Sequence, residues 1–269
     1  MLRFSANLSL LFTEIPLQKR FQAAKQQGFE AVEIQFPYEL DAEIIRQELD
    51  AQQLKLVLFN VAADDLLQGG EGLAAVPGKQ QQFKKAVAET VAYAKVLKPE
   101  AINILPGRCF NQARLSIYQQ TFKENLRYAI EAFSPLGIKT VFEAINTIDM
   151  PDFIIHNSEQ MLTLMAEINH PALLMQYDIY HMQMMQEDPA TFIQQYADRI
   201  GHIQFADCPG RHQPGTGHID FKHIFSSIQT SSYQGWTGAE YHPLDTTLSS
   251  LSWLKNSEFI NSIAIDTSP

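Results

Sequence analysis

The chain has 269 residues, 45% of them hydrophobic, with twenty Lys and Arg against thirty Asp and Glu for a net charge of −10. That is enough apolar material for one large core, and an acidic chain with no basic stripe to neutralise a phosphate backbone argues against a nucleic-acid partner. No stretch approaches the roughly 18 to 20 apolar residues of a membrane span, and the two cysteines, Cys109 and Cys208, are too few for a disulfide framework, so a cytoplasmic protein with no membrane partner is expected.

The N-terminal run MLRFSANLSLLFTEIP is broken by Asn7 and Glu14 and is followed by no small-residue cleavage site, so it reads as no export signal. Its apolar part, Arg3–Asn7, predicts a first strand, and a helical period follows over Leu17–Gln27. Strand patterns then recur at Ala31–Gln35, Lys55–Asn60, Ala101–Leu105 and Lys139–Glu143, separated by helical patterns at Ala42–Gln52, Gln80–Leu97 and Leu115–Phe133. The second half repeats the alternation: helix Ser158–Ile168, strand Leu173–Asp178, helix Pro189–Tyr196, strand His202–Ala206, helix Phe221–Ile228, strand Thr237–Tyr241 and helix Thr246–Leu254. Turn chemistry marks the joints, as in Gln27-Gly28, Pro77-Gly78, Leu136-Gly137 and Asn157-Ser158. Eight β–α units without a linker predict an α/β chain folded as a single (β/α)8 barrel over residues 1–269. An open doubly wound sheet is the alternative, but the glycine-rich phosphate turn expected after its first strand is missing.

In such a barrel the charged residues belong at the C-terminal strand ends, where the βα loops build the site. Four consecutive strands meet that expectation: Glu143 closes the fifth, Asp178 the sixth, Gln204 lies near the end of the seventh, and Glu240 near the end of the eighth. Each alone could be a cap or a rim residue. Together they form a hard, all-oxygen donor set suited to Mg2+, Mn2+ or Ca2+, since three carboxylates crowded in one mouth repel one another without a cation between them.

The runs SANLSLLFTE (5–14), VEIQFPY (32–38), FEAIN (142–146), QYDIYHMQ (176–183), GHIQFAD (201–207), PGTGHID (214–220) and GWTGAEY (235–241) resemble the hydroxypyruvate isomerase family, within the xylose-isomerase-like barrels of sugar isomerases and epimerases. The resemblance spans nearly the whole chain. It implies that Glu143, Asp178, Gln204 and Glu240 bind a divalent metal, Mg2+ first and Mn2+ as an alternative, and that Glu143 and Glu240 also transfer the proton. The implied reaction interconverts hydroxypyruvate and 2-hydroxy-3-oxopropanoate through an enediolate, by general acid–base catalysis on a small carboxylated substrate. A 2-oxo-tetronate isomerase is the close alternative. An endonuclease of abasic DNA fits poorly with the acidic chain, and a sugar-binding module would not need the paired glutamates.

Four further residues are expected to meet substrate. His181, just past the sixth strand, can orient it or pack near the mouth. Arg211, in the loop after the seventh, is the nearest guanidinium to pair with a substrate carboxylate. Asn7 and Asn60, at the ends of strands one and three, can bind hydroxyls or satisfy strand ends. His202 shares a face with Gln204 and is expected deeper in the barrel. Phe36 and Tyr38 can wall the cleft or join the core. Gly69, Gly70, Gly72 and Pro77-Gly78 describe a flexible loop that can close over the mouth. A homo-oligomer is left open.

Overall fold

A computed structural model describes residues 2–255 of the chain. Eight strands, β1 (Phe4–Asn7), β2 (Ala31–Ile34), β3 (Lys55–Asn60), β4 (Ala101–Ile104), β5 (Lys139–Glu143), β6 (Leu173–Asp178), β7 (Ile200–Phe205) and β8 (Thr237–Ala239), pair in sequence order. All pairs are parallel, and β1 joins β8 with Phe4 opposite Thr237, which closes the sheet into a (β/α)8 barrel. Strand existence and order match the alternation in the sequence, and the ends differ by one or two residues.

The helices are α1 (Leu17–Gln26), α2 (Ala42–Gln52), α3 (Gln80–Leu97), α4 (Leu115–Phe133), α5 (Ser158–Ile168), α6 (Ile179–Met184), α7 (Pro189–Tyr196), α8 (Phe221–Thr230) and α9 (Thr247–Ser250). Side-chain caps start several of them: Asp41 accepts from Glu43 N, Asn157 from Gln160 N, Asp188 from Thr191 N and Asp220 from His223 N. Two departures from expectation have local causes. Helix α6 follows β6 without a turn because Asp178 ends the strand and caps the helix at once, accepting from Tyr180 N at 2.8 Å. The pattern at Thr246–Leu254 divides into α9, opened by a Thr246/Ser249 capping box, and a 3₁₀ turn over Leu251–Lys255.

Strand side chains alternate between two environments. Outward residues such as Val32, Ile34, Phe59, Ile102, Phe142 and Tyr177 are buried with helix residues including Phe21, Phe83 and Phe122 in the main core. Inside the barrel, Ala31, Val57, Leu58, Ala101, Val141 and Trp236 form a separate apolar plug. Beyond it the interior is polar: Ser5, Glu33, Asn103, Gln176, His202 and Gln204 are all buried. Regular register is interrupted at Val32/Glu33 and at Met175/Gln176, each time next to one of these polar residues.

Glu33 explains a glycine on the opposite side of β1. A Cβ at Gly238 would overlap the Glu33 carboxylate, which Ser5, Asn7, His202 and Gln204 hold in place by hydrogen bonds. Gly238→Ala is therefore expected to reduce stability by about 1–3 kcal/mol, the usual cost of overpacking a core. The denaturant midpoint measures this, and an unchanged midpoint would show that the carboxylate can move aside.

Candidate active site

Strand ends bring Glu143, Asp178 and Glu240 to one buried spot at the barrel mouth. The Glu143 Oε2 atom accepts from Asn103 Nδ2 at 3.2 Å and Gln176 Nε2 at 2.9 Å, whereas Oε1 lies 3.9 Å from His181 Nε2. Glu240 Oε1 accepts from Asn7 Nδ2 at 2.8 Å and Gln35 Nε2 at 3.0 Å, and its Oε2 accepts from Arg211 Nη2 at 2.5 Å. The second oxygen of Asp178, Oδ2, lies 3.5 Å from the same Arg211 nitrogen and 3.6 Å from His181 Nε2. One ligand atom each from Glu143, Asp178 and His181 fall within 4.8 Å of one another, close enough to hold a metal ion.

The remaining residues singled out from the sequence divide by depth. Asn60 is buried at the end of β3, lines the cavity and has a side-chain oxygen with no partner among the described residues. Asn7 bridges Glu33 and Glu240 through one amide nitrogen. Gln204 sits lower, with Nε2 donating to Glu33 Oε1 at 2.7 Å and Oε1 accepting from Gln176 Nε2 at 2.6 Å. Below it His202 donates to Glu33 Oε2 at 2.6 Å, in the deeper place expected for it. Arg211 turns inward onto carboxylates, leaving Nε without a partner among the described residues. Phe36 does wall the cavity, while Tyr38 belongs to the packing between β3 and α3, bonded to Asn60 O and Thr90. The glycine-bearing loop is tied to the barrel: Asp65 accepts from Gly72 N, Arg108 N donates to Glu71 O, and Tyr118 donates to Glu71. Leu67 from this loop lines the cavity.

Electrostatics concentrate at this spot. Burial, then the charges of Glu240 and Asp178, push the Glu143 carboxyl well above its ordinary range. Burial raises Asp178 against the pull of Arg211, and it raises Glu240 to about 7. Arg211 is disfavoured by burial, but Glu240, Asp178 and Glu143 outweigh that and hold its charge more firmly than usual. His181 is driven well below its ordinary value by burial and by Arg211, which keeps the ring neutral. Glu33 behaves in the opposite way to the mouth carboxylates: burial raises it, but His202, Gln204 and Asn7 together hold it lower than usual.

Sequence reasoning passed over Glu33, Gln35, Asn103 and Gln176. They sit inside the apolar runs AVEIQF, AINIL and LLMQYD at positions that share a face with the strand-end residues, so a period-two reading of each run would have marked them.

The fold and the crowded carboxylates at the C-terminal strand ends define a sugar-isomerase type of barrel, and the chain belongs to the xylose isomerase-like TIM barrel family, whose model matches residues 21–257. It is 41% identical to hydroxypyruvate isomerase of Escherichia coli (strain K12), over 94% of this chain and 98% of that protein. A 2-oxo-tetronate isomerase of Cupriavidus necator is 37% identical over 94% and 97% of the two chains. Among solved structures, a family 2 AP endonuclease from Brucella melitensis superposes with a TM-score of 0.91 at 36% identity, covering 95% of this chain and 98% of that one.

Arg211 is placed by a loop built around a single carboxylate. Asp207 Oδ2 accepts the N–H groups of Gly215, Thr216 and Gly217, and Oδ1 those of Cys208 and Ile219. Its backbone also pairs with His212 and accepts from Arg211 N. Charge-assisted hydrogen bonds of this kind contribute about 1.5–3 kcal/mol each. Asp207→Ala should therefore speed amide hydrogen exchange at Gly215–Ile219 by more than tenfold while sparing the strands. Unchanged protection there would show that the loop is held by other contacts.

Proposed function

We propose that this chain is a hydroxypyruvate isomerase, interconverting hydroxypyruvate and 2-hydroxy-3-oxopropanoate by proton transfer between adjacent carbons through an enediolate. The observation that carries the proposal is the pair Glu143 and Glu240, two buried carboxylates from the ends of different strands facing one cavity of about 100 Å³, with burial raising both above the ordinary carboxylate range and Glu240 to about 7. A group that titrates near the working pH, as Glu240 does, can both take and return a proton. Glu143 Oε1, which accepts no hydrogen bond among the described residues, is the oxygen best placed to reach carbon. One glutamate removes a proton from the carbon bearing the hydroxyl, the other delivers one to the former carbonyl carbon, and the hydroxyl proton passes to the former carbonyl oxygen. Arg211, whose Nε has no partner among the described residues, receives the substrate carboxylate; Asn60 and His181 meet its oxygens.

The donor chemistry suits a hard divalent cation, because three buried carboxylates and one amide carbonyl are oxygen ligands with a strong need for positive charge. Glu143, Asp178, Gln204 and Glu240 would hold it, Mg2+ first with Mn2+ as an alternative, and it would supply Lewis-acid stabilisation of the substrate oxygens. The two buried free cysteines suit a reducing compartment, and we place the enzyme in the cytoplasm. A 2-oxo-tetronate isomerase is the second reading, favoured by the Cupriavidus relative. The nuclease name carried by the Brucella structure finds less support in a chain of net charge −10 whose cavity is small and lined in part by Phe36, Leu67 and Leu105.

A panel of short 2-oxo and 2-hydroxy-3-oxo acids, assayed with and without chelator, tests substrate and cation together. Turnover of none of them, or full turnover with no metal bound, would overturn the respective part. Asp178→Ala should weaken cation binding in a direct titration of the apo-protein. Glu143→Gln and Glu240→Gln should each lose about 10²- to 10⁴-fold in turnover at saturating metal. Exchange of substrate hydrogen with deuterated water separates the two roles, since exchange at one carbon survives when only proton return at the other is lost. Near-normal turnover in either variant would leave that glutamate a ligand only.

A further inference from the structure

Asn146, in the loop after β5, is fully buried and every polar atom of its side chain is committed. Its Oδ1 accepts the backbone N–H groups of Ile148 at 3.1 Å and Asp149 at 2.8 Å. Backbone amides donate only, so these two contacts decide which end of the carboxamide is oxygen. The nitrogen end then faces Asp149 Oδ2 at 3.0 Å and His181 Nδ1 at 2.7 Å. Asp149 is held in turn by Tyr180, whose hydroxyl donates to the same oxygen at 2.7 Å. An NH₂ group has two hydrogens, and two acceptors use both of them.

A hydrogen bond received at Nδ1 requires a lone pair there, which leaves the proton of the imidazole on Nε2. That Nε2 has no partner among the described residues, although the ring is 2% exposed. It lies 3.6 Å from Asp178 Oδ2 and 3.9 Å from Glu143 Oε1, beyond hydrogen-bond reach of either, and His181 lines the cavity. A buried donor without a partner costs stability, so its retention at this spot points to an acceptor that arrives from outside the chain.

We infer that Asn146 is a positioning residue that fixes the His181 ring proton on Nε2, so that His181 donates a hydrogen bond to a substrate oxygen and does not enter the metal's ligand set. A nitrogen that carries hydrogen has no lone pair for a cation, and the Asn146 contact blocks the other tautomer. The identity of the oxygen rests on the isomerase proposal; the tautomer does not. Donors aimed at a developing oxyanion contribute typically about 10²- to 10³-fold in rate.

Long-range 1H–15N correlation spectra of histidine-labelled protein read the tautomer directly, with the His181 signals assigned by their loss in His181→Gln. The expected spectrum is an Nε2–H ring whose Nδ1 is unprotonated, and whose pattern persists when Mg2+ is added. An Nδ1–H ring in the wild-type protein, or a change to one on adding Mg2+, would overturn the inference. The double exchange Asn146→Asp with Asp149→Asn keeps the net charge but puts an acceptor opposite Nδ1, and should move the proton there. In that variant kcat should fall about 10²-fold while Mg2+ affinity, measured by titration, is kept or increased. An unmoved proton in a folded double variant would count against Asn146. If no substrate in the panel turns over, the isomerase proposal fails while the wild-type spectrum still decides the tautomer.

Discussion

Three carboxylates buried together at one end of a barrel cannot all be charged unless positive charge stands among them. In this structure Arg211 takes that position, reaching Glu240 and Asp178 with a single nitrogen. Much of the surrounding construction follows from that constraint. The loop carrying Arg211 is wrapped on Asp207, so the guanidinium is delivered by a fixed backbone and not by a free side chain. A divalent cation at the same carboxylates would compete with Arg211 for them, and the guanidinium would then be free to meet the carboxylate of a substrate. Under the proposed function, one cationic side chain would in this way serve the protein before its ligands arrive and the substrate afterwards.

Beneath the mouth, the same chemistry is arranged for a different end. Glu33 is as deeply buried as the mouth carboxylates, yet it is surrounded by four donors and is held ionised by them. A carboxylate with all its lone pairs used is a support. Glu143, by contrast, has one oxygen that accepts no hydrogen bond among the described residues. Burial alone does not separate the two; the count of hydrogen bonds does.

The difference also explains how far the sequence could be read. Strand order and the ligand candidates were legible because Glu143, Asp178 and Glu240 punctuate apolar runs near where those runs end, and barrels put their sites there. Glu33, Asn103 and Gln176 were not marked, since each is flanked on both sides by apolar residues and looks like an irregularity inside a core strand. Helix α6 escaped because its cap, Asp178, is also the last residue of β6, so no separate turn residue announces it. The glycine-rich segment after β3 looked mobile by composition. Its anchoring depends on Glu71 meeting Arg108 and Tyr118, partners some forty residues away that no local pattern reveals.

The buried amides join these two kinds of carboxylate. Gln204 has its nitrogen held by Glu33, so its oxygen must point away toward Gln176. Gln176 therefore presents its nitrogen to that oxygen and, with the same group, to Glu143 Oε2. Its own oxygen is left without a partner among the described residues, which is a cost the interior accepts. Orientation thus passes from a fully satisfied carboxylate through two amides to a carboxylate with one oxygen occupied and one open. Were Glu33 replaced by a group that donates, Gln204 could turn, Gln176 would lose its reason to face Glu143, and Oε2 would keep only the contact from Asn103. The hydrogen bonding of Glu143 is in this sense set in part on β2, three strands away, by a residue that does not line the cavity.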